Sequence, residues 1–171
     1  MNPSLEKIFE KAYADNIDGL FRFVLYKVSD KEQAIDIVED VYLRFWQTLQ
    51  KEKVEEIRAY LYKIARNLVI DWYKKKKSIP LQSFKGEESE NSELYLDMFT
   101  GNLVGIDVML EVKIVIEKIA SLEPIYREAV YLRFVEEMTP KEIAAVLGES
   151  TNVISVRINR GLNLLKLKLH I

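Results

Sequence analysis

The side chains best suited to chemistry in this sequence are ones that recognise rather than react. Between Ile57 and Lys77, the residues Tyr62, Lys63, Arg66, Tyr73, Lys74 and Lys77 fall on the helix face opposite an apolar stripe. Interleaved aromatic and cationic groups stack unpaired bases while neutralising the backbone that carries them, at roughly 1–3 kcal/mol per stacked base. Near the C-terminus, Asn152, Val156, Asn159, Arg160 and Asn163 point away from a second apolar stripe, with Ser155 and Arg157 on its flanks. Short amides and hydroxyls hydrogen-bond base edges in a major groove, and arginine grips phosphate or guanine. Each cluster also has a plainer reading. The tyrosines would pack half-buried above a lysine-rich helix end that the helix dipole favours, and the C-terminal face would simply be solvated.

Reactive chemistry finds little material here. Among 171 residues there is no cysteine and one histidine, His170, next to last in the chain and read as a frayed terminal residue. Disulfides, cysteine-based metal sites and thiol catalysis are excluded, and a histidine triad has too few members. Asp36, Glu39 and Asp40 share one helix with no partner on a second, a poor arrangement for a metal ion. The expectation is a non-enzymatic protein with no catalytic residues, no metal and no cofactor. No apolar run nears the roughly 20 residues that span a bilayer, and Met1-Asn2-Pro3-Ser4 lacks a signal peptide's basic-then-apolar layout. A cytoplasmic protein without membrane insertion is expected.

The formal net charge of −2 conceals segregation. From Arg58 to Lys77, seven Lys or Arg face Asp71 alone, and from Thr151 onward Arg157, Arg160, Lys166 and Lys168 face no acid. Between them, from Ser78 to Glu111, seven acids face only Lys85. The segment 78–105 adds Pro80, Gly86, Gly101 and Gly105 with no sustained apolar period, so it reads as a flexible acidic linker. It separates a module at 1–77 from one at 106–171.

Both modules read as helix. Ile35, Val38, Tyr42, Phe45 and Leu49 trace one stripe, and Ile57, Leu61, Ile64, Leu68 and Trp72 trace another, with Trp46 and Trp72 assigned to the core. An all-α protein is predicted, with about four helices on each side of the linker. On the second helix, Asp36, Asp40, Leu43 and Gln47 group away from the stripe. Acids around an exposed leucine suit a protein partner, although a solvated face is the more frequent reading of such a pattern. In the C-terminal module, Thr139-Pro140-Lys141-Glu142 spells a capping box with Pro at the first helical position, and Gly148 supplies a positive-φ stop. Ser150 offers the next N-cap, and Ile154, Ile158, Leu162, Leu165 and Leu169 run one stripe beyond it. A short helix, a glycine turn and a longer helix make a helix-turn-helix.

The order of these parts resembles a known family. Glu32-Gln33-Ala34-Ile35-Asp36-Ile37-Val38-Glu39-Asp40-Val41-Tyr42-Leu43-Arg44-Phe45-Trp46, followed by Arg58-Ala59-Tyr60-Leu61-Tyr62-Lys63-Ile64-Ala65-Arg66-Asn67-Leu68-Val69-Ile70-Asp71, is similar to region 2 of the extracytoplasmic-function sigma factors. Leu122-Glu123-Pro124-Ile125-Tyr126-Arg127-Glu128-Ala129-Val130, then Glu142-Ile143-Ala144, Leu147-Gly148, Arg157 and Arg160, resembles their region 4. The pair, in this order and separated by a linker, covers most of the chain.

The resemblance implies an alternative sigma factor that binds bacterial core RNA polymerase and directs promoter-specific initiation. It implies that Asp36, Glu39, Asp40 and Leu43 meet the polymerase. Tyr62, Lys63, Arg66, Asn67, Tyr73 and Lys74 would engage the −10 element, with the loop 50–56 helping to hold a flipped base. Thr151, Asn152, Ser155, Arg157, Asn159 and Arg160 would read the −35 element. An anti-sigma factor is a further partner that the resemblance implies. The competing reading is a stand-alone helix-turn-helix regulator whose first module dimerises or senses.

Overall fold

The structure is a computed structural model that describes residues 3–77 and 106–171. The linker expected at 78–105, with Gly101 and Gly105, lies outside the described residues. The chain separates into two compact units, Met1–Met98 and Phe99–Ile171. Seven helices, all α, occur among the described residues. No helix among them is long and apolar enough to cross a membrane.

The described residues of the first unit form a three-helix bundle of α1 (Pro3–Val28), α2 (Lys31–Leu49) and α3 (Ile57–Lys77), each packed on the other two. About four helices, short pieces included, are expected from the sequence before the linker, and residues 3–77 hold three. Instead α1 runs unbroken for 26 residues through Gly19, with Glu6 in its first turn and Lys27 in its last, each complementing the helix dipole. The reversal into α2 is tight. Ser29 takes φ +52, and the Asp30 side chain accepts from the Gln33 backbone N–H at 3.0 Å to cap α2. Leu20, Phe23, Val24, Phe45 and Leu61 are fully buried where the helices meet, and each such side chain is worth roughly 1.5–3 kcal/mol of burial. Phe9 closes one end of the bundle against Phe45 at 6.0 Å and Trp46 at 5.4 Å, which places Trp46 at the core edge as anticipated. The Tyr42 hydroxyl is buried with no hydrogen-bond partner among the described residues. Burial pushes its phenol above the usual tyrosine range, and Tyr13 and Asp18 act in the same direction.

The second unit contains α4 (Ile106–Ala120), α5 (Pro124–Phe134), α6 (Pro140–Leu147) and α7 (Thr151–Leu169), the four helices expected there. Pro124 opens α5 without a side-chain cap, and the Arg127 guanidinium holds that turn by donating twice to the Leu122 carbonyl at 3.1 and 2.9 Å. α5 and α7 form the main contact of the unit. Gly161 lets them approach closely: a Cβ there would lie 2.5 Å from Val130 Cγ2 and 3.2 Å from Tyr126 Cβ. The core gathers Ile119, Leu122, Val130, Leu132, Met138, Ile143, Ile154 and Ile158.

Candidate nucleic-acid interfaces

The helix-turn-helix of the second unit forms as its sequence dictates. Thr139 Oγ1 accepts from the Glu142 backbone N–H at 3.2 Å, and Glu142 Oε2 accepts from the Thr139 N–H at 2.8 Å, completing the capping box. Gly148 then stops α6 at φ +69, and its N–H reaches the Ala144 carbonyl at 2.9 Å. Two residues later the Ser150 hydroxyl accepts from the Val153 N–H at 3.2 Å and opens α7. Ile154, Ile158 and Leu165 turn inward, so Thr151, Asn152, Val156, Asn159, Arg160 and Asn163 stand exposed.

The flanking residues behave differently. Ser155 is half-buried and its hydroxyl donates to the Thr151 carbonyl at 3.0 Å, leaving its lone pairs as the remaining handle. Arg157 is also half-buried and reaches back along α7 to Glu149 at 2.8 Å. Asn152, Val153, Val156, Arg157 and Arg160 border a shallow apolar depression whose far wall is Ile125 and Tyr126.

In the first unit, α3 is rotated relative to its anticipated setting. The buried positions are Ala59, Leu61, Tyr62, Ala65, Leu68 and Val69, whereas Ile57, Ile64 and Trp72 are only partly covered. A helix wedged against two neighbours buries a wider face than one stripe, and here that face widens toward Tyr62. Tyr62 was placed on the exposed basic face; it is instead 1% exposed, packed on Phe23 at 5.2 Å with the Arg58 guanidinium over its ring. It has no surface on which a base could stack. Lys63, Asn67, Tyr73 and Lys74 remain exposed, and Arg66 is half-buried. Tyr73 keeps an open ring while its hydroxyl donates to the Lys27 carbonyl.

Asn67 does more than stand on a helix face. With Arg44, Gln47, Thr48, Lys51 and Tyr60 it lines a polar depression where α2 ends and α3 begins. Thr48 Oγ1 and the Tyr60 hydroxyl sit 2.8 Å apart and tie the two helices together beneath it. Tyr60 and Thr48 escaped the sequence reading, whereas Lys51 falls within the loop 50–56 already expected to help hold a flipped base. Tyr60 falls between the apolar stripe and the basic face, and only the α2–α3 crossing brings it beside Thr48.

A third surface lies on α2. Asp36 and Glu39 are exposed, and Leu43 stands 56% exposed beside them. Asp40 is held by Arg44 one turn later, Nη2 to Oδ2 at 3.2 Å and Nε to Oδ1 at 3.3 Å, so its charge is partly compensated. Ile35, placed on the core stripe, is 40% exposed at its rim, while Ala34, Ile37 and Val41 fill the core.

Comparison with known proteins decides what these surfaces belong to. The Sigma-70 region 2 family matches residues 12–79, which cover most of the bundle, and the Sigma-70 region 4 family matches 113–165, which cover most of the helix-turn-helix. The chain belongs to the sigma-70 family, in its extracytoplasmic-function group. The ECF RNA polymerase sigma factor SigX of Bacillus subtilis is 27% identical over 168 residues, covering 95% of this chain and 84% of SigX. SigW of the same organism is 23% identical over 168 residues, covering 94% of this chain and 90% of SigW. The fold is similar to that of the sigma factor RpoE of Bartonella quintana, solved with the anti-sigma factor NepR, at TM-score 0.70 and 18% identity over 96% of this chain and 98% of that one. This sigma factor therefore carries region 2 and region 4 of its family on separate helical units. It is an alternative sigma factor of RNA polymerase, and the stand-alone regulator reading is not favoured.

Proposed function

We propose that this sigma factor acts in the cytoplasm as a non-enzymatic adaptor, seating core RNA polymerase on promoters through three surfaces. The exposed stripe of Thr151, Asn152, Asn159 and Arg160 enters the major groove of the −35 element, with Ser155 and Arg157 at its edges. That stripe carries the reading furthest, because the Ser150 cap and the Gly148 turn present it at the end of α7 that a helix-turn-helix offers to base edges. In the first unit, Lys63, Arg66 and Lys74 neutralise the backbone of the −10 element. The depression at Asn67 takes a base displaced from the opening duplex, Tyr60 and Asn67 supplying a ring and an amide for it.

Asp36, Glu39, Asp40 and Leu43 form the polymerase-facing surface: an apolar anchor with an acidic rim fits a basic helical partner better than it fits DNA. The domains are taken as 1–77, 78–105 and 106–171. The acidic segment between the modules keeps the second contact at high effective concentration once the first has formed, and it opposes DNA binding by the lone chain. An anti-sigma factor is proposed as the antagonist, acting on the polymerase-facing surface. Electrophoretic mobility shifts on promoter DNA, with and without core polymerase, test the reading. Promoter-specific complexes are expected only when core enzyme is present, and tight sequence-specific binding by the lone chain would contradict it.

A further inference from the structure

We propose that Glu149 sets the strength of the −35 grip by holding Arg157 in a charge-compensated pair that DNA phosphate must displace. The proposal rests on the assignment of α7 to the −35 element. Glu149 lies in the helix-turn-helix turn, one residue before the Ser150 cap, and Arg157 folds back along α7 to meet it, Nη2 to Oε1 at 2.8 Å. The pair therefore sits at the N-terminal end of α7, where base edges and flanking phosphates approach. Arg160, one turn further on, is exposed and has no such carboxylate among the described residues. Of the two arginines assigned to the −35 element, one is ready and the other is occupied.

The side chains of Arg157 and Glu149 are 23% and 37% exposed, so water screens the pair and it is a tuning device rather than a lock. Phosphate competes with the carboxylate for the same guanidinium. Each phosphate neutralised by an arginine releases counterions and steepens the salt dependence of binding by about 0.9 in log–log slope. Part of that gain is forfeited while Glu149 keeps hold of Arg157. Glu149→Gln keeps the size of the side chain and one acceptor oxygen while removing its charge.

Fluorescence anisotropy of reconstituted polymerase complexes on promoter DNA, titrated over salt, measures the effect. Glu149→Gln is expected to bind about two- to fivefold more tightly at low salt, the range open to a partly exposed ion pair, and to steepen the salt slope by a fraction of the roughly 0.9 that one phosphate contributes. The gain should vanish in the Arg157→Ala background. Weaker binding by Glu149→Gln would overturn the proposal, because the carboxylate would then be aligning Arg157 for DNA. Unchanged binding would overturn it too. So would a gain that survives without Arg157, which would mean that Glu149 repels phosphate directly. Arg160→Ala is the separate check on the underlying assignment: lost −35-dependent affinity supports it, and unchanged affinity removes both it and the proposal. Thermal melts of each variant separate these effects from unfolding.

Discussion

Asn152 and Arg160 share one exposed stripe yet are expected to fail in different ways. Arg160→Ala should weaken binding across all promoters, and lower the salt slope by about one, if it grips phosphate. Asn152→Ala should instead alter preference at one base pair, by about 1–3 kcal/mol, if its amide reads an edge. Binding selections from a randomised −35 pool, run with each variant holoenzyme, check both. On α2, Asp40→Arg places two cations one turn apart and reverses the rim charge beside Leu43. It should abolish pull-down of core polymerase while costing the fold no more than about 1 kcal/mol, since the Asp40–Arg44 pair it removes is exposed. Retained pull-down would remove the assignment of that surface. These exposed groups were legible because a polar residue opposite an apolar stripe can point only one way. Tyr62 and Tyr60 were not, since an amphipathic aromatic ring off the stripe packs inward or outward according to which neighbour meets it.

At the scale of elements, the helix-turn-helix was the most legible part of the chain. Its signals are local: a capping box at Thr139, a positive-φ stop at Gly148 and a hydroxyl cap at Ser150 each act within a few residues. The bundle was less so. A stripe on α3 declares that one face is buried, but the width and rotation of that face depend on α1 and α2 together, and no single-helix period records them. Gly161 teaches the same lesson from the other side. Glycine inside a helix ordinarily costs about 1 kcal/mol relative to alanine, so Gly161→Ala should stabilise an isolated α7. In the folded unit the added methyl would meet Val130 at 2.5 Å. Gly161→Ala is therefore expected to lower stability by about 1–3 kcal/mol, as overpacking does, and calorimetric or chemical denaturation would read it. A rise in stability would mean that α5 and α7 can part at no cost.

For the whole molecule, the division of labour follows from two small units with separate cores, each presenting its own exposed cationic face. Charge is segregated along the chain beneath an average of −2, with two acid-poor stretches around an acidic one. The absence of cysteine makes the central claim directly measurable, since any cysteine introduced is the only one in the chain. Gln47→Cys, beside the depression of the first unit, and Asn163→Cys, on the exposed face of α7, each accept a chelated iron that cleaves nearby DNA. In reconstituted open complexes, the Gln47 probe is expected to cut at the −10 element and the Asn163 probe at the −35 element. Cleavage by both probes at one place, or by neither, would contradict the claim that the two units hold separate promoter elements.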